Sequence, residues 1–260
     1  MPSRNYNLRG EKKNMEIAVI NQSDELKGCD NDIGWMIFAW MTQLTRDVMP
    51  EWGYIPMKMY PAPDPTKLAP GTRQMLLIST PDAADVLGYH DVDPHNGLPY
   101  IKVFTKPIMD SGGTLRRGPN SISATGSHEL CELFGDSGAN FWATDGDGVA
   151  HAVELSDAVE QYAYNVTKDG TSTAVSNFLR QQWFRSKPEN NDFDFMHLCT
   201  QPFQVLDGGY DIYMKGGGVH QKYGKEYWGW KKDLKKHPMS RMQKRIRHAN
   251  KTLASLHKAA

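Results

Sequence analysis

The chain has no apolar run approaching the roughly eighteen residues that a spanning helix needs, which removes membrane-embedded helices from the expectations. Its first residues, Met1 to Asn14, are polar and basic and hold no apolar stretch of the kind a secretory signal carries. The expected setting is therefore the cytoplasm, or a virion assembled there. Cysteine is scarce: Cys29, Cys131 and Cys199 are odd in number and far apart, so a disulfide framework is excluded and reduced thiols are expected. Internal repeats and low-complexity tracts are missing too. A formal net charge of zero excludes a chain that is polyanionic or polycationic from end to end.

What is present is material for one sizeable core, with 39% apolar and 10% aromatic residues among 260. The zero charge hides a split. Lys222 to Ala260 holds twelve of the 30 Lys/Arg against only Glu226 and Asp233, which leaves eighteen basic and twenty-eight acidic side chains before it. An acidic body thus precedes a basic tail. The expected organisation is a flexible arm over residues 1–14, one domain over 15–221 and a basic tail over 222–260. In the tail, Met239, Met242, Ile246, Ala249, Leu253 and Leu256 recur at threes and fours amid Arg and Lys, an amphipathic helix whose apolar face, with Met242, Ile246 and Leu253, suits an interface. Its charge fits an acidic partner, either another protein subunit or nucleic acid held without base-specific reading.

Along the body, Met15 to Ile20 reads as a strand. A helix is expected from about Asp32 to Met49, capped by Asp30 or Asn31 and ended by Pro50. Tyr54 to Tyr60, Gln74 to Ser79, Leu87 to Val92 and Pro99 to Phe104 read as further strands. Ser121 to Phe134 reads as a second helix, closed by Gly135. Ala152 to Asn165 fits helix or strand. Asp169-Gly170 signals a hairpin, and Gly208-Gly209 and Gly216-Gly217-Gly218 punctuate a late β region. Asp145-Gly146-Asp147-Gly148 invites a calcium reading, but it lacks the EF-hand spacing and closing glutamate, so a solvated turn is expected.

The chemistry concentrates in Ser127-His128-Glu129-Leu130-Cys131-Glu132. Four residues apart on a helix, His128 and Glu132 lie one above the other, where an imidazole nitrogen and a carboxylate oxygen can hold one cation. Glu129 stands beside them. Cys131 is expected to pack as a small apolar group. The segment resembles the His-Glu-x-x-His helix of zinc metallopeptidases, except that Glu132 replaces the second histidine. Further segments share a resemblance to an uncharacterised zincin-like family of bacterial and bacteriophage proteins: Leu87-Gly88-Tyr89-His90-Asp91, Gly97 to Phe104, Val153 to Glu160, Val175 to Phe178 and Trp183-Phe184. It covers about Glu16 to Gly217.

That resemblance implies an α+β zincin-like scaffold, a mixed sheet with a metal-site helix beneath it and an edge strand along a substrate cleft. It implies a divalent metal, zinc foremost. A site rich in carboxylate oxygen brings in manganese or iron and makes a weaker Lewis acid. Three protein ligands are the usual catalytic set, so His128 and Glu132 need a third. The resemblance points to Glu154, on a following helix. Asp157 is the substitute, or orients His128 from behind. Glu129 is the implied base in amide hydrolysis, Gly88, Tyr89 and His90 the strand a polypeptide substrate joins, and His151, Tyr162 and Tyr164 candidate oxyanion donors. The rival expectation is a catalytically inactive scaffold of the same kind, a structural or assembly protein of a bacteriophage virion that docks neighbours through its tails.

Overall fold

Five strands set the frame: β1 (Met15–Gln22), β2 (Met57–Pro61), β3 (Arg73–Ile78), β4 (Gly88–Val92) and β5 (Pro99–Phe104), in the order β2-β1-β3-β5-β4. The first four in that order run parallel, and β4 lies antiparallel to β5 at the edge, with His90 opposite Ile101. The computed structural model describes residues 15–82 and 86–225. The N-terminal arm and the tail helix with Met242, Ile246 and Leu253 lie outside the described residues.

Alternation along β1 decides how the sheet is covered. Ile17 and Val19 face a large core shared with the helices, while Ala18 and Ile20 face a smaller cluster with Ala62 on the other side. Helix α1 (Asp30–Thr42) lays Ile33, Met36, Ile37 and Trp40 on the large core, as its apolar spacing predicts. Its cap differs from expectation, for Cys29 occupies that position and makes no side-chain capping bond. Pro50 does not end the helix. Proline lacks an N–H and crowds the carbonyl four residues back, and the π-helical segment Gln43–Val48 widens the turn so that the chain winds on through α2 (Met49–Trp52). Gly53, at φ 104°, then turns it away.

After the short α3 (Thr105–Asp110) comes α4 (Ile122–Gly135), capped by Ser121, whose Oγ accepts from the Ala124 N–H at 3.1 Å. Two glycines let α4 sink into the molecule. A Cβ on Gly126 would stand 2.5 Å from Cζ2 of Trp40 and 2.7 Å from Cε of Met75. Gly135 is the last helical residue rather than a left-handed cap, and its need is contact: a Cβ there would stand 2.2 Å from Cδ1 of Leu155. Cys131 is a buried free thiol in the core, as expected.

Beyond α4 the chain is mostly β, in a four-stranded sheet, β11-β10-β7-β6, and a separate hairpin of β8 and β9. β6 (Trp142–Thr144) and β7 (Ala150–Ala152) flank the Asp145 turn, whose Oδ1 accepts from the N–H groups of Asp147 and Val149 at 2.9 Å each. This is the solvated turn expected there. β8 (Ala163–Lys168) and β9 (Thr171–Ser176) are joined by Asp169-Gly170, both at positive φ, as a two-residue hairpin requires. β10 (Tyr210–Lys215) and β11 (Gly218–Tyr223) close on Gly216-Gly217 in the same way, and β11 runs past the boundary expected at residue 221. The fold class is α+β with a mixed sheet. Among the described residues no helix is long and apolar enough to cross a membrane.

Candidate metal centre

The helix face expected from spacing is present. His128 Nε2 lies 2.8 Å from Glu132 Oε1, one turn on, and both side chains are buried. Asp157 Oδ1 lies 3.1 Å from that same Nε2. This placement bears on the role of Asp157: it stands at the nitrogen that faces Glu132, on the ligand side of the ring, and not behind it. Asp157 opens a 3-10 turn, Asp157–Val159, and Glu154 sits just before it in an irregular stretch after β7. Neither is on the helix expected to carry them. What holds the stretch to α4 is Leu155, packed against the bare Cα of Gly135.

His90 joins the centre from the sheet. Along β4, Gly88 and His90 share the face turned to α4. At Gly88 a Cβ would meet the Lys102 carbonyl at 3.0 Å and Glu129 Cγ and Oε1 at 3.1 Å, so glycine is what lets the edge strand come this close. Two residues on, His90 Nδ1 lies 3.4 Å from Glu132 Oε2 and 3.8 Å from Glu129 Oε2. Its other nitrogen, Nε2, is 3.1 Å from the Asp136 carbonyl. Tyr89 points to the opposite face, its hydroxyl donating to Asp82 at 3.1 Å. Of the three residues expected along a substrate, His90 thus contributes a potential ligand. Spacing on α4 did not announce it; the small-x-His pattern of Gly88 and His90 on one strand face was the available signal.

Six ionisable groups converge, then: His90, His128, Glu129, Glu132, Glu154 and Asp157. Glu154 is half-buried; the others are exposed by no more than 7%. The possible cation ligands fall into two trios, His90 with Glu132 and Glu154, and His128 with Glu132 and Asp157, each with donor atoms within 4.8 Å of one another. Burial pushes the His90 pKa down, but hydrogen bonds with Glu129 and Glu132 and the charge of Glu154 carry it well above the ordinary imidazole value. For His128 burial is likewise outweighed, by the charge of Glu132 and hydrogen bonds with Asp157 and Glu132. Glu132 itself is pushed up, first by burial and then by the charge of Asp157, with His128 opposing. All three shifts mean that the cluster holds protons it would release in water, protons that a bound cation would displace.

Comparison with known protein families, curated proteins and solved structures finds no match. The reading therefore rests on the residues. Two imidazoles and several carboxylates brought out of water fit a hard or borderline divalent cation, whose charge offsets the cost of burying them. Two of the three sequence-expected oxyanion donors are engaged elsewhere. Tyr164 donates to Asp47 at 2.7 Å, and His151 is held between Asp211 at 2.8 Å and Asp145 at 3.2 Å, tilted against the Phe203 ring.

Proposed function

We propose that the protein is a zincin-like, metal-dependent hydrolase of amide bonds. The observation that carries this reading is the convergence of His128, Glu132 and Asp157 on one face of α4 while Glu129, the next residue, lines the face toward edge strand β4. A metal helix set against a mixed sheet, with an edge strand beside it, supports the zincin-like scaffold. His128 and Glu132 would hold the cation together with Asp157, in place of the Glu154 expected from the resemblance, and zinc or manganese suits the oxygen-rich set. When bound, the ion supplies polarisation of the substrate carbonyl and acidification of a water. Glu129 takes the proton from the attacking water and hands it to the leaving nitrogen. A polypeptide laid along β4 would run past Glu129, which gives Gly88, Tyr89 and His90 their place in the reading.

Burial favours a second reading. With Glu129, Glu132 and Asp157 at 1–2% exposure, a cation here also acts as a brace between α4, β4 and the 154–157 stretch, the role it would have in an inactive assembly subunit of a virion. The experiment is incubation of the zinc- or manganese-loaded full chain with an unfolded polypeptide, beside Glu129→Gln. Cleavage by the wild type that falls by about a hundredfold or more in Glu129→Gln is expected. No cleavage by either, with equal metal content and unchanged melting, would leave the brace standing in place of the enzyme.

A further inference from the structure

We infer that the centre holds two divalent cations rather than one, bridged by the carboxylate of Glu132. The inference rests on the metal-centre reading above and deepens it. Its starting point is that the two oxygens of Glu132 face different imidazoles: Oε1 is 2.8 Å from Nε2 of His128, and Oε2 is 3.4 Å from Nδ1 of His90. Each imidazole has its own further carboxylate, Asp157 beside His128 and Glu154 with His90, so the donors sort into two trios that share Glu132 alone.

The anchoring of His90 is an independent pointer. A backbone carbonyl only accepts, so the Asp136 carbonyl at 3.1 Å takes the Nε2 hydrogen and leaves Nδ1 as the ring atom that can ligate. Nδ1 faces Glu132 Oε2 at 3.4 Å, and a cation that displaces the proton between them would be held by both atoms. The same anchor opposes a single shared ion. With Nε2 on that carbonyl, His90 offers Nδ1 on the Oε2 side, and among the described residues no group of donors within 4.8 Å of one another contains both imidazoles. His128 Nε2, meanwhile, faces Glu132 Oε1 and Asp157 Oδ1 together and makes the second position. Two-cation hydrolytic centres place their ions about 3.5–4 Å apart, the span of one bridging carboxylate. Glu129 belongs to neither trio, so the base keeps its role with both positions filled.

Manganese is the probe. The metal-stripped full-length chain is loaded with Mn(II), dialysed, and assayed for manganese per chain by elemental analysis and for exchange coupling by low-temperature electron paramagnetic resonance. Two manganese ions per chain with a coupled spectrum are expected. Glu154→Gln and Asp157→Asn, each shown folded by circular dichroism, are expected to hold one ion each and to give the spectrum of isolated manganese. One uncoupled ion in the wild type would overturn the pair and leave the single-cation hydrolase intact; none would overturn both. Two ions retained in Glu154→Gln would overturn the assignment of the second position. Because Glu154 is half-buried and the change is isosteric, this variant keeps the test decisive if Asp157→Asn does not fold.

Discussion

Asp194 and Glu132 are carboxylates of equal depth, exposed by 0% and 1%, in opposite surroundings. Asp194 is ringed by donors. Its Oδ1 accepts from the N–H groups of Leu198 at 2.8 Å and Cys199 at 2.6 Å, and its Oδ2 from Asn177 Nδ2 at 2.7 Å and the Met196 N–H at 3.1 Å. The protein satisfies both oxygens with its own donors and uses them to pin the loop after β9. Around Glu132 stand two imidazoles and three carboxylates; burial pushes its pKa up, the charges of Asp157, Glu154 and Glu129 add to that, and His128 opposes. A buried acid among donors is a structural brace; one among other acids keeps a proton or, on the reading proposed above, shares a cation.

The contrast breaks if the two acids respond alike to loss of charge. Asp194→Ala leaves several buried N–H groups without an acceptor and should cost about 4 kcal/mol, read by urea unfolding and unaffected by chelator. Glu132→Gln should cost less than about 1 kcal/mol in metal-free protein, because an amide relieves crowding among carboxylates, yet it should abolish the rise in melting temperature that added manganese or zinc gives the wild type. Equal destabilisation of the metal-free protein by both would end the distinction. A smaller effect sharpens the account of the 154–157 stretch. Gly135→Ala forces a methyl into Leu155, an overpacking worth about 2 kcal/mol, and should lower metal affinity about tenfold by displacing Glu154 and Asp157. Unchanged affinity would mean that this stretch holds no ligand.

Much of this was legible in the residues because the signals were local. The His128–Glu132 face, the helix that carries it, β5 and the Asp169-Gly170 hairpin each follow from a short-range rule. What was hidden depends on contacts distant in sequence. Nothing within β4 says that its Gly88–His90 face turns toward α4 rather than away, since Tyr89 and Asp91 alternate with them and the strand is short. Gly135 reads as a cap from its position, and only Leu155, twenty residues on, reveals it as a site of close approach. The helix expected to carry Glu154 failed for a related reason. The stretch satisfies its backbone by turning tightly, with the Glu154 N–H on the Ala152 carbonyl and the Val159 N–H on the Ser156 carbonyl, and its side chains are held by α4. Pro50, read as a stop, was absorbed by a π-helical turn that no local pattern signals.

Glu25 gives the smallest and cleanest extension of the contrast. It sits where three adjacent parallel strands end, and the first residue beyond each supplies a hydroxyl: Ser23 after β1, Ser79 after β3 and Thr105 after β5 donate to its Oε2 at 3.0, 2.7 and 2.8 Å. Burial pushes its pKa up, but the bonds from Ser79 and Thr105, its own backbone N–H and Ser23 outweigh that and hold it at about 2, against an ordinary 4.5. The folded value lies below the unfolded one. Its contribution to stability is therefore complete above about pH 4.5 and lost as the pH falls through about 2. Compared by urea unfolding, wild type should exceed Glu25→Gln at pH 6, and the gap should narrow at pH 3 and close near pH 2. A gap that stays constant across that range would show that the hydroxyls favour the acid and its anion equally, and that they do not hold Glu25 ionised.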